Sequence, residues 1–430
     1  MKKLYVALYG QIVAELQQDS SGTKKLVYIT EAKPTAELSV ALPYRKSPYP
    51  KKQAMPFIEG LIPEGESVRQ SLAREYNLSS WKNPFGILEK IGLECAGAVQ
   101  FITPEDIEHY PNLQGELIPV SRQDIENRLQ RLNTTPGKSW QTDRERWSLA
   151  GAQSKFALHF NQGQWYEATG AQPTTHIFKP GIYDLKDQAL NEHLCLRALG
   201  ELGLPVAQSS YQEFGQQAAL VIKRYDRLRL PNGFVVRLHQ EDICQALSAL
   251  PEKKYESSGG PSAVQIIRLL QQVCPQEDTE TFIQGLIANY LLGAPDAHAK
   301  NYSLLHLPDG VTRLAPFYDV ASGIPYEHLS SNGIPGKNDG LEKAAMAIGG
   351  ERRFGKITRK HWNKFAQATG VNEERLRETV EYMCVHLPQT LEKVCLEEQA
   401  ALGKSELAQR LIPGVRQICE TTLTMLDRDY

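Results

Sequence analysis

In the first thirty residues apolar and polar positions alternate. "KLYVALYG" and "IVAEL" flank a turn at Gly10-Gln11, and "KKLVYI" follows a Ser/Ser/Gly/Thr break, so a small strand meander is predicted. From about residue 54 the period lengthens. "ESVRQSLAREY" and "PFGILEKIGL" place apolar groups three and four apart, which predicts helices starting at Ser67 and at Asn83-Pro84, and "GAVQFITPED" then returns to strand. Residues 121–147 are polar and charged, with one helix and then a loop, and the domain join is placed there, near residue 140. Beyond it, "SKFALHF", "QWYEA" and "THIFK" read as strands, and a helix over about 187–202 is ended by Gly203 and Pro205. Strands around "AALVIKRYD" and "FVVRLH" follow. From 281 onward the pattern is mostly helical.

A chain of 430 residues exceeds the ~250–300 over which a single core grows, so more than one lobe is expected. We divide it into 1–140, 141–240 and 241–430, with strands plus helices in the first part, mainly strands in the second and mainly helices in the third. That is an α+β class. A net charge of -2 argues against nucleic-acid binding through overall positive charge. The start "MKKLYVALYGQIVAEL" lacks the apolar core and cleavage site of a signal peptide, and no run approaches the ~18 apolar residues of a membrane span. Seven scattered cysteines without a CxxC pair argue against a disulfide framework or a metal cluster, and a cytoplasmic location is expected.

Two segments imitate phosphate loops, "PGKS" at 136–139 and "LGKS" at 402–405. Such a loop needs a further glycine five residues before its second one, and those positions are Leu132 and Glu398.

The stretch "LLGAPDAHAKNYSLL", 291–305, crowds Asp296, His298, Lys300 and Asn301 between two apolar runs. An acid and an amide five residues apart match the protein-kinase catalytic loop, whose Asp accepts the substrate hydroxyl's hydrogen bond and whose Asn binds Mg²⁺. The template next asks for a hairpin and a second metal-binding Asp. "NYSLLHLPDGVTRLAPFYD" supplies both, with a Pro-Asp-Gly turn and then Asp319. The preceding "TFIQGLIANYLLG" has Phe282, Leu286 and Tyr290 four apart, which predicts a buried helix as a rigid base. The competing reading is a helix-capping loop in which Asp296 and Asn301 satisfy backbone groups. Upstream, "SLAGAQSKFAL" brings small residues into a strand, and "THIFKP" sets Lys179 at a strand end. Glu192 is the candidate partner for such a lysine, its alternative being an exposed first-turn acid favoured by the helix dipole.

Together "SLAGAQSKFAL", "THIFKP", "GAPDAHAKNYSLL" and "LAPFYDV" resemble the HipA family of bacterial serine/threonine-protein kinase toxins. The resemblance extends to "RLHQEDICQAL", "KYESSGGPS", "GGERRF", "LIPEG" and "GAVQFITPED". It implies a two-lobed, protein-kinase-like fold with a small additional N-terminal subdomain. The phosphate loop and the ATP lysine would then lie in 141–240, and the catalytic loop in a helical C-lobe over 241–430. By resemblance Asp296 is the catalytic acid/base, Asn301 and Asp319 hold Mg²⁺, and Lys179 contacts the ATP phosphates. Ala150, Gly151, Ala152, Gln153, Ser154 and Lys155 would form the phosphate loop, with His298, Ala299, Lys300 and Tyr318 near the nucleotide. Lys223, Arg224 and Tyr225 match the adenine-side hinge, although an acidic residue often stands where Lys223 does. Ser148 holds the place of a self-phosphorylated serine.

The family further implies a helix-turn-helix, HipB-like antitoxin that anchors the toxin at operator DNA. It also implies a protein substrate in translation, notably an aminoacyl-tRNA synthetase, whose phosphorylation brings growth arrest and persistence. The rival readings are a lipid or small-molecule kinase and a non-enzymatic corepressor partner of the antitoxin. The first lacks a basic amphipathic helix for a membrane substrate. The second would use the basic run "ERRFGKITRKHWNK", 351–364, on DNA, a run that otherwise reads as a solvated helix face.

Overall fold

A computed structural model describes residues 1–29, 31, 36–110, 112–134, 141–142, 144–308, 310–326, 341–403 and 405–427. The "PGKS" segment, Lys404 of "LGKS" and the join near 140 lie outside them. Helix and sheet are mixed, as an α+β chain requires, and the described residues form two compact units. One comprises 1–180, 213–252 and 303–313, the other 181–212, 253–302 and 314–430. The three-part division at 140 and 240 stands beside these units as a proposal.

In the first unit the predicted meander forms. Lys2–Leu8, Gln11–Gln18 and Lys24–Tyr28 pair antiparallel, and Gln100–Ile102 closes against Lys2–Leu8 on the other side. The first hairpin turns at Tyr9 and Gly10, both at positive φ (50° and 78°), one residue earlier than the sequence suggests, because Leu8 pairs with Gln11. The inward faces carry Leu4, Val6, Val13, Leu16 and Leu26, all essentially buried. Helices Glu66–Glu75 and Pro84–Ile91 follow, the first capped by Gly65 rather than starting at Ser67, the second with proline at its first turn. A second sheet carries, in order, Gln217–Lys223, His176–Lys179, Phe156–Asn161, Gln164–Ala168 and Leu117–Val120. Strand His239–Asp242 pairs with Ser303–His306, which begins the predicted hairpin before Asp319. Asp309 of its turn lies outside the described residues.

The second unit is mostly helical. Gln188–Glu201 ends with Gly203 at φ 86°, close to the predicted limits. Ala263–Val273 is opened by a Ser262/Gln265 capping box. Gln276–Leu291 is buried nearly all round, as its apolar content requires. Gly370, at φ 73°, closes the helix Arg359–Thr369, and Glu373–Glu397 and Leu407–Leu426 follow. One part of the "mostly helical" expectation is corrected: Lys343–Ile348 and Glu351–Arg353 form an antiparallel hairpin. Its turn takes Gly349 and Gly350 to φ 60° and 98°, which overrides the helix-favouring alanines before it. The basic run 351–364 is therefore a strand, a turn and the start of a helix, not one helix face. Among the described residues no helix is long and apolar enough to cross a membrane, and all seven cysteines are free.

Candidate active site

The predicted chemistry divides between the units, and each set of residues is described within its own.

In the second unit the helix Gln276–Leu291 ends at Leu292 and the chain turns through Gly293, at φ 62°. The loop after it is held by its own backbone: His298 N–H donates to the Asp296 carbonyl at 2.8 Å, and Asn301 N–H to the His298 carbonyl at 2.9 Å. Asn301 Nδ2 donates to the same Asp296 carbonyl at 2.7 Å. With its nitrogen so committed, the Asn301 side chain presents an oxygen, the atom type a hard cation needs. The Asp296 carboxylate is 63% exposed and accepts a hydrogen bond from the Tyr255 hydroxyl at Oδ1. His298 Nε2 lies 3.7 Å from that oxygen. Burial, against the pull of Asp296, holds His298 below its ordinary value, so it is neutral near pH 7.

Asp319 sits at φ 59°, a left-handed conformation in which an aspartate costs less than most residues. The segment before it is fixed on both sides. Phe317 N–H donates to the Pro205 carbonyl and its own carbonyl accepts from Ala207 N–H, each at 2.8 Å. The Phe317 ring is buried against the helix at Gly285, where no side chain intervenes, and stands edge-on to Tyr302 with centroids 6.0 Å apart. Tyr318 directs its hydroxyl to the Lys300 carbonyl at 2.8 Å. Asp296, His298 and Asn301 are thus joined by hydrogen bonds within one loop, Tyr318 bonds that loop at Lys300, and Asp319 follows Tyr318 in the chain. The helix-capping alternative for Asp296 does not apply to its side chain, which bonds a tyrosine hydroxyl rather than a backbone N–H.

Among the described residues no cluster of three or more His, Cys, Asp or Glu side chains forms a metal cage. An amide oxygen, as Asn301 offers here, and a carboxylate are the donor types that Mg²⁺ takes from a protein before it completes its shell with water and phosphate.

In the first unit Gly151 takes φ 102° and Lys155 curls back to donate to the Ala150 carbonyl at 2.8 Å. A Cβ at 151 would meet only the mobile end of Lys155, at 2.6 Å from Nζ, so the need for glycine here lies in the backbone conformation. Ala152 is exposed, and Gln153 and Ser154 are half-buried. Ser148 is fully buried and its hydroxyl donates to the Leu61 carbonyl at 2.7 Å. Lys179 is buried, 5% exposed, at the end of a strand whose register pairs it with Leu220.

The three hinge candidates fare differently. Lys223 is exposed and pairs with His176 in the sheet. The Tyr225 hydroxyl is engaged by Gln240. Arg224 is turned into a buried ion network: it donates to both oxygens of Asp226, at 2.9 and 2.8 Å, and to Glu94 Oε1 at 3.2 Å. The Arg224 side chain is therefore committed to this ion network, so Arg224 can offer a ligand only its backbone groups. Arg227 and Arg237 also bind Glu94, at 2.9 and 2.7 Å. Glu192, in the second unit, is fully buried, which excludes the exposed first-turn alternative.

Sequence reading left two groups unassigned. Glu94 had no local signal, since its partners come from residues 174, 224, 227 and 237. Tyr255 stands in the quoted "KYESSGGPS", whose double glycine marks a tight loop but not what the loop touches.

Two family models match the chain: that of the HipA N-terminal domain over residues 4–102, and that of the HipA-like C-terminal domain over 147–391. A putative kinase, Y4mE, of Sinorhizobium fredii is 36% identical over 380 residues, 86% of each chain. The serine/threonine-protein kinase toxin HipA of Shewanella oneidensis is 29% identical over 353 residues, 79% of this chain and 77% of its own. A solved structure of Shewanella oneidensis HipA with HipB and its operator DNA matches with a TM-score of 0.79 at 26% identity, covering 99% of this chain and 98% of that one.

Proposed function

The chain belongs to the HipA family of serine/threonine-protein kinases, and on that premise we propose that it is a toxin kinase using ATP and Mg²⁺ to phosphorylate a protein of the translation apparatus. The observation that carries the reading is the bond from Asn301 Nδ2 to the Asp296 carbonyl. It ties an exposed carboxylate and an amide oxygen into one rigid loop, in the unit that also contains Asp319.

In this reading Asp296 accepts the hydrogen bond of the substrate serine or threonine hydroxyl and aligns it for in-line attack on the γ-phosphate. Asn301 and Asp319 hold the metal. Lys179 and the loop Ala150–Lys155 hold the phosphates, and backbone groups of 223–225 hold the adenine. Mg²⁺, when bound, neutralises charge on the phosphates as the transferred group leaves. His298 is a neutral neighbour of Asp296 and leaves the base role to the carboxylate. Chemistry of this kind is mainly positioning and electrostatics, which suits a loop fixed by backbone hydrogen bonds.

An aminoacyl-tRNA synthetase is the proposed target, with growth arrest and persistence as the consequence and the cytoplasm as the location. A HipB-like antitoxin and, through it, operator DNA are the proposed partners, supported by the HipB and operator complex of the Shewanella oneidensis relative. Ser148 is the proposed autophosphorylation site.

The test is transfer of label from γ-labelled ATP in the presence of Mg²⁺ to purified translation proteins, comparing the natural chain with Asp296→Gln. Transfer should fall ~10²–10⁴-fold in the variant while MgATP binding persists. Equal transfer by both proteins would remove Asp296 from the chemistry, and label appearing in lipid extracts instead would reassign the substrate class.

A further inference from the structure

The Tyr255 hydroxyl donates to Oδ1 of Asp296, and its ring stands edge-on to His298 with centroids 4.8 Å apart and planes at 85°. This contact spans 41 residues of sequence and joins a side chain with no assigned role to the carboxylate on which the kinase reading depends.

The segment that carries Tyr255 is built to hold it still. Lys254 accepts a hydrogen bond at its carbonyl from Ala299 N–H, at 3.3 Å, which docks the segment onto the catalytic loop itself. Gly260 N–H donates back to the Tyr255 carbonyl at 3.0 Å, closing a tight ring over 255–260. At Gly260 a Cβ would stand 1.8 Å from the Lys253 carbonyl oxygen and 2.8 Å from that of Tyr255, so only glycine closes this ring. Gly259 supplies the positive φ, 79°, that the turn requires. On the outer side Glu256 accepts from Ala347 N–H at 2.6 Å and anchors the ring to the hairpin that follows. The tyrosine is thus fixed on its backbone from three directions, while the carboxylate it meets is largely exposed.

An exposed aspartate has two freely rotating oxygens, and an attacking hydroxyl needs one of them in one place. We propose that Tyr255 is a positioning residue for phosphoryl transfer: its hydroxyl fixes Oδ1 of Asp296, with His298 on the same side, so that Oδ2 alone is presented to the substrate hydroxyl. The proposal rests on the assignment of Asp296 as acid/base. It assigns to "KYESSGGPS" the task of aiming that residue. In this role Tyr255 acts through Asp296 and touches neither reactant, so its effect falls on the rate of the aligned complex and not on nucleotide affinity.

The experiment compares Tyr255→Phe, Asp296→Gln and the double variant in single-turnover transfer, alongside MgATP affinity. Tyr255→Phe keeps the ring against His298 and removes only the hydroxyl. The expected result is a loss in kcat on the order of 10-fold, with KM for ATP and MgATP affinity unchanged, as for a hydrogen bond to a charged group. Adding Tyr255→Phe to Asp296→Gln should cost nothing further, since the carboxylate it aims is gone. An unchanged kcat in Tyr255→Phe, a raised kcat, a loss that appears as weaker ATP binding, or full additivity in the double variant would each overturn the proposal. A raised kcat would instead mark Tyr255 as a plug occupying the substrate's place. If the natural chain and Asp296→Gln transfer label equally, the kinase reading of Asp296 has failed, an outcome read before Tyr255 enters.

Discussion

Gly285, in the middle of the helix Gln276–Leu291, offers a test in which two known effects oppose each other. Replacing a helical glycine by alanine ordinarily gains about 1 kcal/mol through backbone entropy. Here the added Cβ would stand 2.2 Å from Cζ and 2.5 Å from Cε1 of Phe317. Ordinary carbon contact is about 3.5–4.0 Å, so one partner must move by more than ~1 Å. Phe317 is poorly placed to do so. Its ring is buried against Tyr302, and its backbone is tied to Pro205 and Ala207 by two hydrogen bonds of 2.8 Å. Overpacking of this kind costs about 1–3 kcal/mol, which meets or exceeds the helix gain. We expect Gly285→Ala to melt at or a few degrees below the natural chain. The larger effect should fall on function, because the segment that yields carries Asp319 two residues further on. A displacement near 1 Å in such a group costs roughly 10²-fold in rate. Thermal melting, MgATP calorimetry and phosphoryl transfer measured on the same preparation give the answer. Trimming the ring with Phe317→Leu in the Gly285→Ala background should restore part of the loss. A variant that melts higher by the full helix gain and transfers phosphate at the natural rate would refute the idea that this contact sets Asp319.

Asp319→Asn should weaken Mg²⁺-dependent nucleotide binding itself, since a carboxylate for the metal becomes a neutral amide; calorimetry with MgATP showing unchanged affinity and metal dependence would return Asp319 to a structural role. Burial pushes the Glu94 carboxyl up, but Arg227, Arg237 and Arg224 pull it well below its ordinary value of 4.5. A folded-state value depressed in this way adds stability above pH 4.5 that is lost progressively as pH falls below it. Glu94→Gln should therefore lose about 3–5 kcal/mol at neutral pH by leaving buried arginines uncompensated, and urea melts of the two proteins should converge toward acid pH; a gap independent of pH would deny the ion network its role. Ser148→Ala should resist loss of ATP binding during prolonged incubation with MgATP, whereas the natural chain gains a phosphate and loses affinity. Intact mass and nucleotide affinity followed on the same samples decide this, and a phosphate at Ser148 with affinity undiminished would rule out the switch.

What was legible in the sequence is what local pattern encodes. Strict alternation gave the meander, and four-residue spacing of Phe282, Leu286 and Tyr290 gave the buried helix. The order Asp, Asn, hairpin, Asp is a matter of spacing along one stretch of chain, so Asp296, Asn301 and Asp319 could be named together from the sequence. The hairpin at 343–353 was missed because "KAAMAI" has the composition of a helix and only the Gly349-Gly350 pair, with its positive φ values, argues otherwise. The resemblance takes Lys223, Arg224 and Tyr225 together as one hinge and does not say where each side chain goes. In a strand, however, successive side chains leave on opposite faces, and near its end Arg224 goes to the buried ions while Lys223 goes to solvent. Tyr255 and Glu94 lay beyond reach for a common reason: each acts on partners tens of residues away, where no periodicity reports the contact.

Glu94 also bears on what the N-terminal part of the chain is for. Its carbonyl accepts from Ser148 N–H at 2.7 Å, while its carboxylate accepts from Thr174 N–H at 2.9 Å and from Arg224 and Arg227, which follow the strand Gln217–Lys223. One residue therefore fixes the entry to the proposed phosphate loop by its backbone and the strands behind that loop by its charge. Leu61 and Glu64, from "LIPEG", complete the support: Leu61 takes the Ser148 hydroxyl and Glu64 N–H donates to the Gly151 carbonyl at 3.1 Å. All three supporting residues lie in the part of the chain that matches the HipA N-terminal domain. The same arrangement makes Ser148 a natural point of release. A phosphate on a fully buried oxygen would remove the donor that Leu61 accepts and set about two negative charges where there is no water. The conformation seen here, with the Ser148 hydroxyl buried on the Leu61 carbonyl, has no room for a phosphate on that oxygen, so the proposed modification would have to detach this segment from Leu61.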